Sequence, residues 1–217
     1  MKRINQYELF QLMLREMGET GWWPADSKIE IIIGAILIQN TNWINADRAL
    51  TQLKEATQLN PETLIEMPID ELQELIRPAG FFKNKSQSIQ EVLAWFESYG
   101  HDYKLIQNEY QAALRKQLLT LRGVGEETAD VFLVYIFDQV AFIADKYAQK
   151  LYRHLGVEGV DNYKMMKQKV ILDNRFTSWE AQEFHGLIDE FGKLYLRGEG
   201  SLTGSFLEGY QLDDKNL

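Results

Sequence analysis

QAALRKQLLTLRGVGEETADVFLVYIF, residues 111–137, contains the decisive stretch, LRGVGEETAD at 121–130. QAALRKQLLT has helical spacing and ends near Thr120, LRGVG turns the chain, and EETADVFLVYIF opens a second helix apolar enough to be buried. Gly123 and Gly125 permit positive φ and a close approach of a partner to the backbone. The N–H groups that open the second helix have no intrahelical acceptor. Phosphate oxygens suit them, because they accept from those donors and favour the positive end of the helix dipole. The alternative is an ordinary inter-helix turn in which glycine only caps the first helix.

Outward from the hairpin the pattern stays helical. Segments at roughly 70–76, 84–98, 109–120, 126–137, 146–155 and 162–172 carry helix periodicity. From Glu180 to Tyr195 the residues Phe184, Leu187, Ile188, Phe191 and Tyr195 form one apolar stripe. Ser27 with Glu30 and Thr177 with Glu180 fit capping boxes, and Asn60-Pro61 fits an N-cap followed by the first turn. IEIIIGAILI at 29–38 is ambiguous, since β-branched residues favour strands while ten residues is long for an isolated one. No partner strand is evident, and the expected fold is all-α, without an internal repeat or flexible linker.

Composition narrows the chemistry. The 217 residues are 45% hydrophobic, enough for one sizeable core or two small ones. With no cysteine, disulfides, thiol catalysis and cysteine-held zinc or iron–sulfur centres are excluded. His101, His154 and His185 show no metal-ligand spacing, so no metal is expected. The net charge of −9 opposes binding of nucleic acid by bulk attraction and leaves room only for local cations and backbone donors. MKRINQYELFQLMLREMG reads as neither signal peptide nor membrane anchor, and a cytoplasmic location is the expectation.

After the second helix comes AFIADKYAQKLYRHLG, headed by Asp145. Together these stretches resemble the helix-hairpin-helix DNA glycosylases of the endonuclease III superfamily, in which an L-x-G-V-G-x-x-T-A hairpin precedes the helix leading to an essential aspartate. GAILIQNTNW (34–43) is similar to the family segment ending in a glutamine that reaches into the DNA stack, and AGFFKNKSQSI (79–89) to its glycine-aromatic-lysine helix start. Trp22-Trp23-Pro24, Gln39-Asn40-Thr41 and Asp145-Lys146-Tyr147 match the 3-methyladenine DNA glycosylase III group.

The resemblance implies a role for each matching position. Asp145 would stabilise the oxocarbenium character of the sugar or orient the attacking water; as a residue type it equally suits a helix N-cap. Bifunctional relatives place a Schiff-base lysine where Glu127 stands, so hydrolysis by water without lyase activity is implied. Glu126 and Glu127 also suit a first helical turn on dipole grounds alone. Trp22, Trp23, Pro24, Trp43 and Glu127 would form the base pocket, electron-rich indoles attracting a cationic alkylated purine; tryptophans are also ordinary core residues. Gln39 would fill the gap left by a flipped nucleotide. Lys83, Lys85 and Lys146, with Gly123, Val124 and Gly125, would contact DNA, or the lysines are solvated surface.

The implied organisation is two-lobed: a helical barrel at 23–139 carrying the hairpin, and a second lobe of 1–22 with 140–217, Asp145 lining the cleft between them. The implied partner is double-stranded DNA with a flipped damaged base, acted on by a monomer without an iron–sulfur cluster. YLRGEGSLTGSFLEGYQL at 195–212 lacks the four cluster cysteines of many relatives, and Ser201 stands nearest the place of a C-terminal lysine associated with the glycosylase III group. The rivals are a glycosylase or glycosylase/lyase for oxidised or mismatched bases, and a non-catalytic hairpin module that only binds DNA.

Overall fold

IEIIIGAILI resolves as a helix because it is covered on nearly every side. In the computed structural model, which describes residues 2–213, Ile32 to Leu37 are all buried. Burying an isoleucine contributes about 1.5–3 kcal/mol, which outweighs the few tenths by which β-branching disfavours helix. Ser27 caps this helix by accepting from the Glu30 N–H at 3.2 Å. The expected reciprocal box is incomplete: the Glu30 carboxylate accepts instead from the Asp26 N–H (2.9 Å) and pairs with Lys54.

In chain order the elements are β1 (Lys2–Ile4), α1 (Gln6–Met17), α2 (Lys28–Leu37), α3 (Trp43–Thr57), α4 (Pro61–Glu66), α5 (Ile69–Ile76) and α6 (Phe82–Glu97). There follow α7 (Tyr103–Tyr110), α8 (Leu114–Leu118), α9 (Glu126–Tyr135), α10 (Lys146–His154), α11 (Tyr163–Lys169), α12 (Ser178–Tyr195) and β2 (Tyr210–Leu212). The helix expected at 109–120 is interrupted. Gln111 has φ +46°, and a 3₁₀ turn at Gln111–Ala113 separates α7 from α8. The all-α expectation also missed a short parallel pairing of β1 with β2, Lys2 opposite Tyr210 and Ile4 opposite Leu212. Three-residue strands carry no periodicity for a sequence to reveal.

The chain divides into two compact units, Ala25–Phe137 and Met1–Pro24 with Asp138–Leu217. Within the first, α2 packs against α3, α6 and α9. Within the second, α12 packs against α1 and α10. Phe184, Leu187, Ile188 and Phe191 of the α12 stripe are buried with Phe10, Phe142 and Tyr152. Thr177 and Glu180 complete a capping box at the start of α12, and Asn5 with Glu8 forms another at α1. The C-terminal segment is held by Leu202, Leu207 and Leu212 in this core and by Lys150 Nζ, which donates to the carbonyls of Leu196 (2.9 Å) and Gly198 (3.0 Å).

Candidate active site

The hairpin between α8 and α9 is braced from three directions. Asp130, fully buried in α9, takes two hydrogen bonds from Arg115 of α8, each 2.9 Å, a bidentate pair that fixes one helix against the other. Gly123 has φ +74°, and a Cβ there would collide with Ser88 Oγ and lie 2.6 Å from Ser88 Cβ, so glycine is needed for both conformation and space. Gln39, just beyond α2, donates to the Gly123 carbonyl and to Thr128 Oγ1, both at 2.9 Å. Its amide ties the hairpin together.

Three expectations about this region need correction. Gly125 does not have positive φ: it sits at −85° as the N-cap of α9, with open space where a Cβ would project. The Val124 N–H is already used, donating to the Leu121 carbonyl at 3.1 Å, and its side chain is buried. Lys85 is no surface phosphate contact. It is only 4% exposed, and its Nζ donates to the carbonyls of Leu37 (2.9 Å) and Ala79 (2.8 Å). Burial pushes its amine down to about 8. Lys85 therefore closes the C-terminal end of α2 and so seats Gln39. Lys83 and Lys146 are exposed, as is Glu127 in the first turn of α9, while Trp43 opens α3 half-buried.

In the other unit Asp145 is the N-cap of α10, and its Oδ1 accepts from the Ala148 N–H at 2.7 Å. The residue is therefore an N-cap, and that bond commits only one of its two carboxylate oxygens. The other, Oδ2, lies 3.7 Å from His185 Nε2 of α12, and the two side chains are only 14% and 10% exposed. The segment after Asp145 is seated by Tyr147, whose ring fills the space a side chain at Gly192 would need.

α12 also holds the Trp-Trp-Pro loop. Glu183, 2% exposed, accepts from the N–H groups of Thr20 and Gly21. A Cβ on Gly186 would lie 2.5 Å from Trp22 Cβ, so the tryptophan rests directly on helix backbone. Lys193 Nζ lies 4.7 Å over the Trp22 ring and pairs with Asp189 (2.5 Å) and Glu190 (2.8 Å). Trp22 and Pro24 line a cleft of about 590 Å³ with Glu16, Glu19, Glu190 and Tyr195. Trp23 packs against Trp22, ring centroids 5.7 Å apart.

The chain that carries this partly buried aspartate at a helix start and the glycine hairpin before it is similar to known proteins. The family model of HhH-GPD superfamily base excision DNA repair proteins matches residues 33–172. A protein of Methanocaldococcus jannaschii assigned as a DNA repair glycosylase is 34% identical over 195 residues, 88% of each chain. The chain belongs to the HhH-GPD superfamily. Among solved structures of this superfamily fold, the 3-methyladenine DNA glycosylase MagIII of Helicobacter pylori bound to 1,N6-ethenoadenine is similar at TM-score 0.69 and 25% identity. That likeness covers 88% of this chain and 98% of that one. A trapped endonuclease III–DNA covalent intermediate shares the fold at TM-score 0.66, with 20% identity over 90% of this chain and 88% of the other.

Set in an HhH-GPD chain, several residues gain importance that sequence reading did not give them. His185 shows no metal-ligand spacing, and Glu183, Asp189 and Lys193 lie off the apolar stripe of their helix. Their periodicity was visible, but not what they face. Phe81 was read as part of a helix start; it caps α6 at φ +47° and is 66% exposed, an aromatic ring held out of the core. The signal available was the Gly80-Phe81-Phe82 run, in which only one of two adjacent aromatics can face inward. Ser201 is exposed, and the lysine over the Trp22 ring is Lys193. No cluster of metal-ligating side chains is present among the described residues. No helix among them is long and apolar enough to cross a membrane.

Proposed function

We propose that this HhH-GPD protein is a monofunctional glycosylase that hydrolyses the N-glycosidic bond of alkylated purines, 3-methyladenine foremost, in duplex DNA. The observation carrying this reading is that a carboxylate, not an amine, stands at position 127, while Asp145 keeps one carboxylate oxygen free of its helix cap. A carboxylate cannot form an imine, so water is the nucleophile. Likeness to MagIII supports the alkylpurine assignment.

The chemistry needs little else. Alkylation at a ring nitrogen makes the purine cationic, so the C1′–N bond breaks with its electron pair going to the base, which leaves neutral without an acid. Asp145 stabilises the positive charge that develops on the sugar. Water adds to C1′ and releases a proton, leaving an abasic site in an unbroken strand. Trp23, packed against Trp22, offers an indole face to the cationic base; Trp22, already beneath the Lys193 ammonium, supports it within the same unit. Phe81 and Gln39 occupy the space vacated in the stack. The first N–H groups of α9, Lys83 and Lys146 hold phosphates.

The test is release of free bases from methylated duplex DNA, followed by chromatography. The expected result is 3-methyladenine in the released fraction, strands that break only after added base or heat, and no covalent complex trapped by borohydride. A borohydride-dependent crosslink, or release of oxidised pyrimidines alone, would overturn the reading.

A further inference from the structure

One side chain that faces the second carboxylate oxygen of Asp145 is not explained by the reaction as written. His185 Nε2 faces Oδ2 at 3.7 Å, and both groups are largely withdrawn from water. Its place is fixed by its neighbours on α12: Glu183 and Gly186 seat the tryptophan loop, and Gly192 seats Tyr147. The charged groups that face the imidazole are Asp145 at the start of α10 and, on α12 itself, Asp189 one turn later, which is paired with Lys193. Asp189 is held above the usual carboxylate range, first by burial, against the pull of Lys193 and His185.

We propose that His185 is a positioning residue that acts through Asp145, holding Oδ2 toward the reacting sugar when neutral and cancelling its charge when protonated. This rests on Asp145 being the carboxylate that faces the oxocarbenium ion. A histidine changes charge between about pH 5 and 8. The neutral imidazole leaves the full negative charge of Asp145 available to the sugar. The imidazolium forms an ion pair with it across 3.7 Å in a site with little water, and the sugar then meets a neutralised partner. No bond to substrate is made by His185, and the electron and proton balance of hydrolysis is unchanged. Its effect is on how much carboxylate charge the transition state receives, and it gives the enzyme an acid limit set by this chain's own residue.

The experiment is single-turnover release of 3-methyladenine from methylated duplex DNA between pH 5 and 8.5, corrected for uncatalysed loss, with the wild-type chain, His185→Gln and His185→Ala. Glutamine can reach Oδ2 as a donor but cannot change charge. Wild type is expected to lose about tenfold in rate between pH 7.5 and 5.5. His185→Gln keeps a near wild-type rate at pH 7.5 and stays flat toward acid, whereas His185→Ala is slower throughout because Oδ2 loses its guide. An acid limb of the same depth in His185→Gln overturns the proposal. A second readout is independent of the substrate: the imidazole signals of His185, followed by NMR across the same range in wild type and Asp145→Asn, are expected to titrate differently. Identical titrations overturn the coupling. If the wild type released no methylated purine at any pH, the substrate reading would fail while the NMR comparison still decided the Asp145–His185 pair.

Discussion

The hairpin at 119–128 is built from backbone and glycine, with side chains reaching in to brace it, whereas the surroundings of Asp145 are built from side chains along one helix. At the hairpin, Gly123 is compact because Ser88 leaves no room, and Gly125 has open space where a Cβ would project. Around Asp145, α12 supplies a glutamate for the loop amides, a histidine for Oδ2 and a glycine beneath Trp22. A phosphate is much the same at every step of a duplex, so donors fixed by backbone suffice for it. Charge that develops at one atom needs groups aimed at one point, and only side chains from a rigid element supply that.

The largest expected effect lies on the side-chain region. Asp145→Asn keeps the N-cap acceptor for the Ala148 N–H, so folding and DNA binding stay near wild type. Base release falls by about 100-fold or more, on the order of 3 kcal/mol of barrier, because the amide carries no charge. Single-turnover kinetics with parallel binding titrations measure both. Wild-type excision in this variant would remove Asp145 from the chemistry and leave it a structural cap.

Next come the two close-packed glycines, one in each region. Gly123→Ala places a methyl against Ser88 in a positive-φ backbone and should lower stability by about 2–3 kcal/mol. Gly186→Ala pushes Trp22 off α12 and should cost about the same. Denaturant melts give the stability of each. The contrast is functional: Gly186→Ala, measured where it is still folded, loses excision more than duplex binding. Equal losses of both would mean that the loop and the hairpin are not separable in function.

Legibility in the sequence follows the same division. The hairpin could be read because its parts are contiguous: helix end, Gly-x-Gly and helix start fall within ten residues, and glycine is rare enough at such spacing to carry information. Helix identity was readable wherever one face was apolar, as along α12. It was ambiguous in α2, where burial on all sides erases the periodicity. The partner of Asp145 was not readable. His185 lies 40 residues beyond it, off the apolar stripe that accounts for the periodicity of its helix, and nothing local distinguishes a residue facing a carboxylate from one facing water. Lys85 failed in the opposite direction: lysine in a polar-looking run reads as surface, and its burial depends on two carbonyls, one 48 residues earlier.

A smaller effect separates Gly125 from Gly123. With φ −85° and open space at its Cβ, Gly125→Val should fold with a loss of only about 1 kcal/mol, because valine is a poorer N-cap than glycine. Its side chain would occupy the volume in front of the α9 amides. Affinity for damaged and undamaged duplex is therefore expected to fall alike, by about tenfold, or ~1.4 kcal/mol. Undiminished binding of undamaged duplex would make the hairpin a turn and nothing more.

The smallest effect concerns the ammonium beneath Gln39, and it appears only as a dependence on pH. The Lys85 amine is pushed down to about 8 in the folded chain by burial and returns to the ordinary lysine range, near 10.4, on unfolding. Between those values the unfolded chain holds a proton that the folded chain has lost, so stability rises with pH there. Below about pH 8 both states are charged and the folded state carries the full burden of the buried charge. From pH 7 to 9 the gain is about 1 kcal/mol, or a few degrees in Tm. Other groups titrate in this range, so the quantity to measure is the difference between wild type and Lys85→Met in urea midpoints at the two pH values. The variant leaves the Leu37 and Ala79 carbonyls without their donor and is less stable at both. It should also lack the rise. An equal rise in both proteins would mean that water reaches Nζ and that the end of α2, and with it Gln39, is held less rigidly than the hairpin it braces.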